Sequence, residues 1–386
     1  MAFQNDILAG SSVASVDPNA GTLWHWGQGE LGFTGVGDTI NRNSPQQVGS
    51  QEHWQVYDID ETDYGSYYYS AGGTHGGAVT TDGDFFNWGS GTDGRNGRGN
   101  TINVSSPTQV GSEEWKVVAS GYNSYGIRAN GTLWFVGGDN RYGSAGQGNT
   151  TTDFYSSPVQ IGALTTWAKI AGVTTHGLAI KTDGTLWAWG MNSSGKLGDG
   201  TTDARDSPVQ IGALTTWKQV SAAGNSNVGI LNDGKLFTWG QNNKGQLGDG
   251  STINRSSPVQ IGNAEWTMAC ASYQRSMRAI KTDGTLWGWG YNYYGELGQN
   301  DSQIDRSSPV QIGTATDWKS VAGPVYVTAA INNSGQLWTC GRGGYGGLGN
   351  GSNSNTSVLG QVGSATDWKG VSAQSMAWGI HALRDI

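Results

Sequence analysis

Seven copies of one short phrase, Gly-x-[Leu/Phe]-[Trp/Phe], cut the chain into units of about fifty residues, and that spacing limits the fold before any other feature does. The copies open at Gly21, Gly83, Gly131, Gly184, Gly234, Gly284 and Gly335, with successive gaps of 62, 48, 53, 50, 50 and 51 residues. A unit this short cannot bury an apolar face alone, so a run of them must stack as a propeller or a solenoid.

Each phrase follows an apolar run and a turn pair, as in Leu178-Ala179-Ile180-Lys181-Thr182-Asp183 before Gly184, which reads as a two-residue Asp-Gly hairpin. In the strand that follows, Trp187 and Trp189 share one face while Leu186 and Ala188 take the other. Both faces are apolar, so the strand needs cover on two sides, which neighbouring blades provide. Next comes a glycine-rich loop with one apolar plug, Gly190-Met191-Asn192-Ser193-Ser194-Gly195-Lys196-Leu197-Gly198, echoed from Gly240 and from Gly290. Ser-Pro-Val-Gln-Ile-Gly then recurs at Ser157, Ser207, Ser257 and Ser308, and its proline places it on a sheet edge. About ten residues on, a Trp opens another strand, at Trp54, Trp115, Trp167, Trp217, Trp266, Trp318 and Trp368.

The ends complement one another. The hairpin strand at Gly21 has no Trp-led segment before it, and the segment from Trp368 to Asp385 has no hairpin strand after it. The expected fold is therefore all-β, a seven-bladed β-propeller closed by N- and C-terminal strands in one composite blade. Val13–Val16 and His381–Leu383 compete for its closing ladder position. Residues 13–386 are expected to form a single propeller domain behind an N-terminal leader or anchor peptide, residues 1–12.

With Gly190 to Gly198 added, the phrase Gly-x-Leu-Trp-x-Trp-Gly-x-Asn-x-x-Gly-x-Leu-Gly resembles the repeat of the RCC1-type family of seven-bladed propellers, and the likeness runs from Gly21 to the end. Departures include Asn96 in place of the loop Leu and Cys340 in place of the second Trp. The founding member of that family exchanges nucleotide on a small GTPase and docks on chromatin, using a basic tail and a protruding β-wedge. This chain has 22 Lys plus Arg against 30 Asp plus Glu, a net charge of −8 and no basic run, so neither nucleic-acid binding nor that activity is expected to carry over. Another branch senses ultraviolet light through clustered Trp and Arg. Of the 18 Trp here, however, ten lie in hairpin strands and seven open the Trp-led segments, which points to core packing, with Trp187, Trp189, Trp239, Trp287 and Trp289 as core markers.

The second repeat is the anomaly. From Trp54 to Gly83 runs a 29-residue stretch where 16 to 18 is usual, and the surplus at 57–69 is acidic and tyrosine-rich. Insertions on a regular scaffold are where contacts are grafted, so Tyr57, Asp58, Asp60, Glu61, Asp63, Tyr64, Tyr67, Tyr68 and Tyr69 are the candidate partner-binding residues. Their carboxylates lack the spacing of a calcium loop. The histidines His25, His53, His75, His176 and His381 are scattered, Cys270 and Cys340 fall in different repeats, and no His-Glu-x-x-His or Gly-x-Ser-x-Gly occurs. No catalytic residue, cofactor or metal is expected.

No run of eighteen apolar residues occurs, so membrane insertion is not expected either. Met1–Ser12 resembles leader peptides of structural and adhesive proteins of marine bacteriophages. Together these features lead to a non-enzymatic binding or structural protein, on a virion as a decoration, tail or host-recognition component. Its partner would be a protein or a cell-surface glycan, with other virion proteins reached through residues 1–12. The alternatives are a cytoplasmic interaction module or GTPase regulator, and a hydrolase acting on glycans or peptides. Deleting Asp58 to Tyr68 is expected to leave the melting temperature nearly unchanged and to weaken partner attachment; unchanged attachment would retire the insertion as a contact site.

Overall fold

The computed structural model describes residues 20–50, 53–55, 69–71, 75–151, 153–172, 175–273, 275–372 and 379–385. They form seven antiparallel sheets arranged as the blades of a propeller. Blade 1 is composite, running Trp368–Ser372, Gly379–Arg384, Ala20–Gly27 and Arg42–Gln47. Blades 2 to 7 begin at Tyr69, Trp115, Trp167, Trp217, Trp266 and Trp318 and follow in chain order. Blade 5, for example, runs Trp217–Ala223, Ser226–Leu231, Leu236–Gly240 and Arg255–Gln260.

The Trp-led strands are innermost. Gln219 in the first strand of blade 5 exchanges hydrogen bonds with the backbone of Ala269 in the first strand of blade 6, its amide donating at 2.8 Å and its carbonyl accepting at 3.2 Å. Ser221 Oγ accepts from Ala271 N at 3.2 Å in the same way. The Ser-Pro-Val-Gln strands lie at the other edge, where a residue without an N–H does no harm.

Burial follows the alternation read from the strand Leu186–Gly190. Trp189 packs with Tyr125, Phe135 and Ile161 of blade 3, whereas Leu186 and Ala188 pack with Val220, Ala222 and Trp239 of blade 5. Gly177 lets Trp189 lie flat across its neighbouring strand, since a Cβ there would stand 2.3 Å from the indole ring. The hairpin differs from the two-residue turn expected. Gly184 is left-handed at φ 75°, Lys181 N bonds Thr185 O at 3.0 Å and Gly184 N bonds Lys181 O at 2.9 Å, so the loop holds three residues. Asp183 stays out of the left-handed region because its carboxylate accepts from Thr185 N and Oγ1, at 3.0 and 2.6 Å.

A second Trp in the hairpin strand clasps the preceding blade. The indole N–H donates to a loop carbonyl from Trp26 to Gly347, Trp88 to Phe33, Trp189 to Ser144 and Trp239 to Lys196, at 3.2, 3.1, 3.0 and 3.1 Å. Cys340, which replaces this Trp in blade 7, points its thiol at the equivalent carbonyl of Glu296 at 3.9 Å.

Ring closure is direct. The strand Gly379–Arg384 pairs with Ala20–Gly27, with Trp24 opposite Ala382 and His25 opposite His381, so His381–Leu383 fills the closing position. Val13–Val16 and residues 1–12 lie outside the described residues. No helix among the described residues is long and apolar enough to cross a membrane.

Four histidines, His25, His75, His176 and His381, are completely buried within their strands. Burial lowers His75, His176 and His381 to about 3 and holds His25 well below its ordinary value, with His381, 4.4 Å from it ring to ring, adding repulsion. In the unfolded chain each takes up a proton near pH 6.5, so this stability is present above that pH and is lost as pH falls toward 3. Each histidine is worth about 1.4 kcal/mol between pH 7.5 and 5.5, and with four of them the unfolding free energy is expected to drop by about 5 kcal/mol across that range. Urea titrations at the two pH values check this, and equal stabilities would overturn it.

Candidate functional site

The loop after each third strand is held by one asparagine. Asn192 Oδ1 accepts from Leu197 N at 2.8 Å while its amide donates to Asp199, Thr201 and Asp203, and Asn242 and Asn292 brace their loops alike. Leu197, Leu247 and Leu297 plug the interior beneath. The frame is thus fixed by Asn, Leu and Gly, and the intervening positions are free to vary.

In blade 6 three of those positions are tyrosines. Tyr291 and Tyr293 stack at 8°, Tyr293 meets Tyr294 edge-on at 4.9 Å, and Tyr326 of blade 7 closes the group at 4.8 Å from Tyr294 and 5.9 Å from Tyr291. The Arg342 guanidinium lies 5.1 Å from Tyr294, 5.9 Å from Tyr326 and 5.8 Å from Tyr345. Lys244 approaches Tyr291 at 5.3 Å and Asp305 at 3.2 Å. Tyr293 and Tyr345 leave 48% and 43% of their surfaces in solvent. The result is a tyrosine face on the loop end of blades 6 and 7.

Two features of this face cost stability. Tyr326 is held at φ 59° and Arg275, in the corresponding turn of blade 6, at φ 64°. A non-glycine residue in that region costs about 1–2 kcal/mol. Beneath the rings lies Glu296, fully buried, with Oε2 accepting from Tyr294 N at 2.8 Å and Oε1 without a partner. Gln246 caps the equivalent N–H of Lys244 at 2.8 Å, so an amide suffices for the loop and the charge on Glu296 is surplus to it. Arg278, also fully buried, donates to Glu296 O, Thr328 Oγ1 and Ser276 Oγ at 3.0, 2.6 and 2.7 Å. Burial raises Glu296 to about 6 despite Arg278, and raises Tyr291 to about 12, so the phenol is neutral at ordinary pH. The Cys270 and Cys340 thiols are likewise pushed up by burial, to about 11 and 12. Among the described residues no three His, Cys, Asp or Glu side chains gather as a metal set.

The sequence pointed elsewhere. Tyr57, Asp58, Asp60, Glu61, Asp63, Tyr64, Tyr67 and Tyr68 lie outside the described residues. Tyr69, assigned to the insertion, instead opens the strand Tyr69–Ala71, paired with Ala78. Trp54 bridges Thr80, so the insertion interrupts the inner strand of blade 2. Of the expected core markers, Trp189, Trp239 and Trp289 are fully buried. Trp187 and Trp287 are partly buried and pack against the core from its margin, each covered by an ammonium, Lys181 and Lys281, both 3.5 Å from the ring centre. The tyrosine face escaped sequence reading, although Tyr291-Asn292-Tyr293-Tyr294 was visible as the one loop whose variable positions are all aromatic.

Seven antiparallel sheets around an axis, braced by one loop frame, define a β-propeller that carries its variation at its loop ends. The chain carries RCC1-type repeats. The regulator of chromosome condensation (RCC1) repeat model matches residues 183–230, 233–277 and 283–331, and a second model of that repeat matches 167–196 and 217–246. The ultraviolet-B receptor UVR8 of Arabidopsis thaliana is 28% identical over 196 residues, covering 50% of this chain and 42% of that protein. The mitochondrial RCC1 domain-containing protein RUG3 of the same plant is 30% identical over 190 residues, covering 46% and 40%. The matched region thus spans about four-tenths of these relatives. Prp20p of Saccharomyces cerevisiae superposes with TM-score 0.79 at 18% identity, covering 96% of this chain and 92% of that one. Human WBSCR16 does so with 0.79 at 17%, covering 95% and 99%. These likenesses establish the fold.

Because Glu296 is raised in the folded state, its ionisation costs stability as pH rises through 4.5 to 6, a cost complete above pH 6. Glu296→Gln, which keeps the loop cap, is expected to stabilise the protein by about 1–2 kcal/mol at pH 7.5 and by almost nothing at pH 4.5. Chemical denaturation at both pH values checks it; a loss at pH 7.5 would show instead that Arg278 depends on the charge.

Proposed function

We propose that this propeller is a non-enzymatic docking protein that presents the tyrosine face of blades 6 and 7 to a protein partner. The observation that carries this reading is the placement of Tyr291, Tyr293, Tyr294, Tyr326 and Tyr345 on rigid loop frames, two of them largely exposed and Tyr326 held in a strained conformation. Tyrosine supplies contact area at low entropic cost and is enriched with arginine where interfaces concentrate their energy. Residues held in strained conformations gather at ligand-contacting sites.

Protein partners also suit the fold's relatives. Prp20p was solved together with its binding properties to Gsp1p and histones, and yeast RCC1 (Prp20) was solved bound to Kap60. Our finer reading places this chain on a virion, supported by the −8 balance and by the likeness of Met1–Ser12 to phage leader peptides. Mass spectrometry of purified particles tests that setting. Accelerated nucleotide release from a small GTPase would support the family's regulatory role instead.

To test docking, a photo-crosslinking residue replaces Tyr293 in one variant and Asp233, at the hairpin end of the ring, in another. A partner adduct is expected from position 293 and not from 233, and Tyr345→Ala is expected to diminish it. Equal adducts from both positions would overturn the assignment of this face.

A further inference from the structure

The tyrosine face differs in charge from the molecule that carries it. Lys244, Arg275, Arg278 and Arg342 bring four cations, and Glu296 and Asp305 two carboxylates, on a chain of net charge −8. Asp305 is bonded to Lys244 at 3.2 Å, and Arg278 donates to the main chain of Glu296 from below. The neighbouring Asp301 and Arg306 form an ion pair with each other. Cations thus outnumber carboxylates on this face, and Arg275 and Arg342 are both half-exposed there.

Both arginines stand on fixed mounts. Arg275 O accepts from Tyr291 N at 2.9 Å, and Arg342 N donates to Tyr326 O at 2.9 Å, so each backbone is tied to the tyrosine segment beside it. Arg275 has in addition the left-handed backbone that turns it out of the strand that follows. An arginine on a fixed backbone offers a planar fork matched to a carboxylate, with less backbone freedom to lose on binding.

We propose that this face docks an acidic segment of a protein partner, whose carboxylates pair with Arg275 and Arg342 while its side chains lie across Tyr293 and Tyr345. The assignment rests on the docking reading above and adds the partner's chemistry to it. A positive island on an acidic body also sets orientation, because an acidic segment is repelled by the rest of the surface and attracted only there.

Fluorescence anisotropy of the whole chain with three labelled probes tests this: hexaglutamate, hexalysine and a six-nucleotide single-stranded DNA, each at 50 and 200 mM NaCl. Hexaglutamate is expected to bind, more weakly at the higher salt, and Arg275→Glu with Arg342→Glu is expected to weaken it about tenfold or more. Circular dichroism melting of the same variant shows whether the ring is intact, and Arg275→Gln with Arg342→Gln serves if the reversal unfolds it. No hexaglutamate binding, preference for hexalysine, preference for the oligonucleotide, or indifference to the arginine changes would each overturn the proposal. If it falls while position 293 still crosslinks a partner, docking stands and only the acidic chemistry is lost. If both fail, the docking reading falls too.

Discussion

The side chain that each third strand buries against the loop of the blade before it, an indole in five of the seven blades, is the contact on which the rest of the ring depends. Trp26, Trp88, Trp189 and Trp239 each fill the gap between two sheets with a large apolar ring and end in a donor that finds an acceptor there. Such a bond nets only about 0.5–1.5 kcal/mol, while the ring it orients buries far more apolar surface. The bond's larger effect is positional, since it fixes each loop against the next sheet. Ser256 packs so close to Gly195 that a Cβ on that glycine would stand 2.4 Å from its Cα. Elsewhere the position keeps its packing without this bond: Val136 fills it in blade 3, Trp289 fills it in blade 6 with its N–H unpartnered, and in blade 7 the Cys340 thiol lies 3.9 Å from Glu296 O.

This dependence explains what sequence could and could not reveal. Blade number, strand faces and the composite blade were legible because they follow from a repeated phrase and from two complementary half-repeats at its ends. The hairpin was misjudged by one residue because Asp183 prefers to fold its carboxylate onto Thr185, which competes with the tighter turn. Trp187 and Trp287 pack at the margin of the core, because the pattern fixes a face and not a radius, and these rings sit toward the hairpin end under a lysine.

The site was the harder reading. Tyr291, Tyr293 and Tyr294 are close in sequence, but Tyr326, Arg342 and Tyr345 join them only through the stacking of two blades. Glu296 occupies a position filled elsewhere by Phe33, Arg95, Ser144, Lys196, Gln246 and Gly347, so no single residue type marks it as unusual. Its significance appears only when the orphaned oxygen is set beside the satisfied amide of Gln246. The face therefore combines a common frame with locally unfavourable choices, the signature of a surface shaped by something other than stability.

The seam of blade 1 has a bearing on how the molecule comes into being. Among the described residues, 20–27 find their inner partner in 379–384, so that sheet stays half-built until nearly every other described strand has been synthesised. Closing so long a chain segment is entropically slow, and meanwhile an unpaired strand edge stands open to any neighbour. A nascent chain thus exposes that edge until the six-residue strand Gly379–Arg384 arrives. Two copies exchanging those strands would be the natural error of assembly.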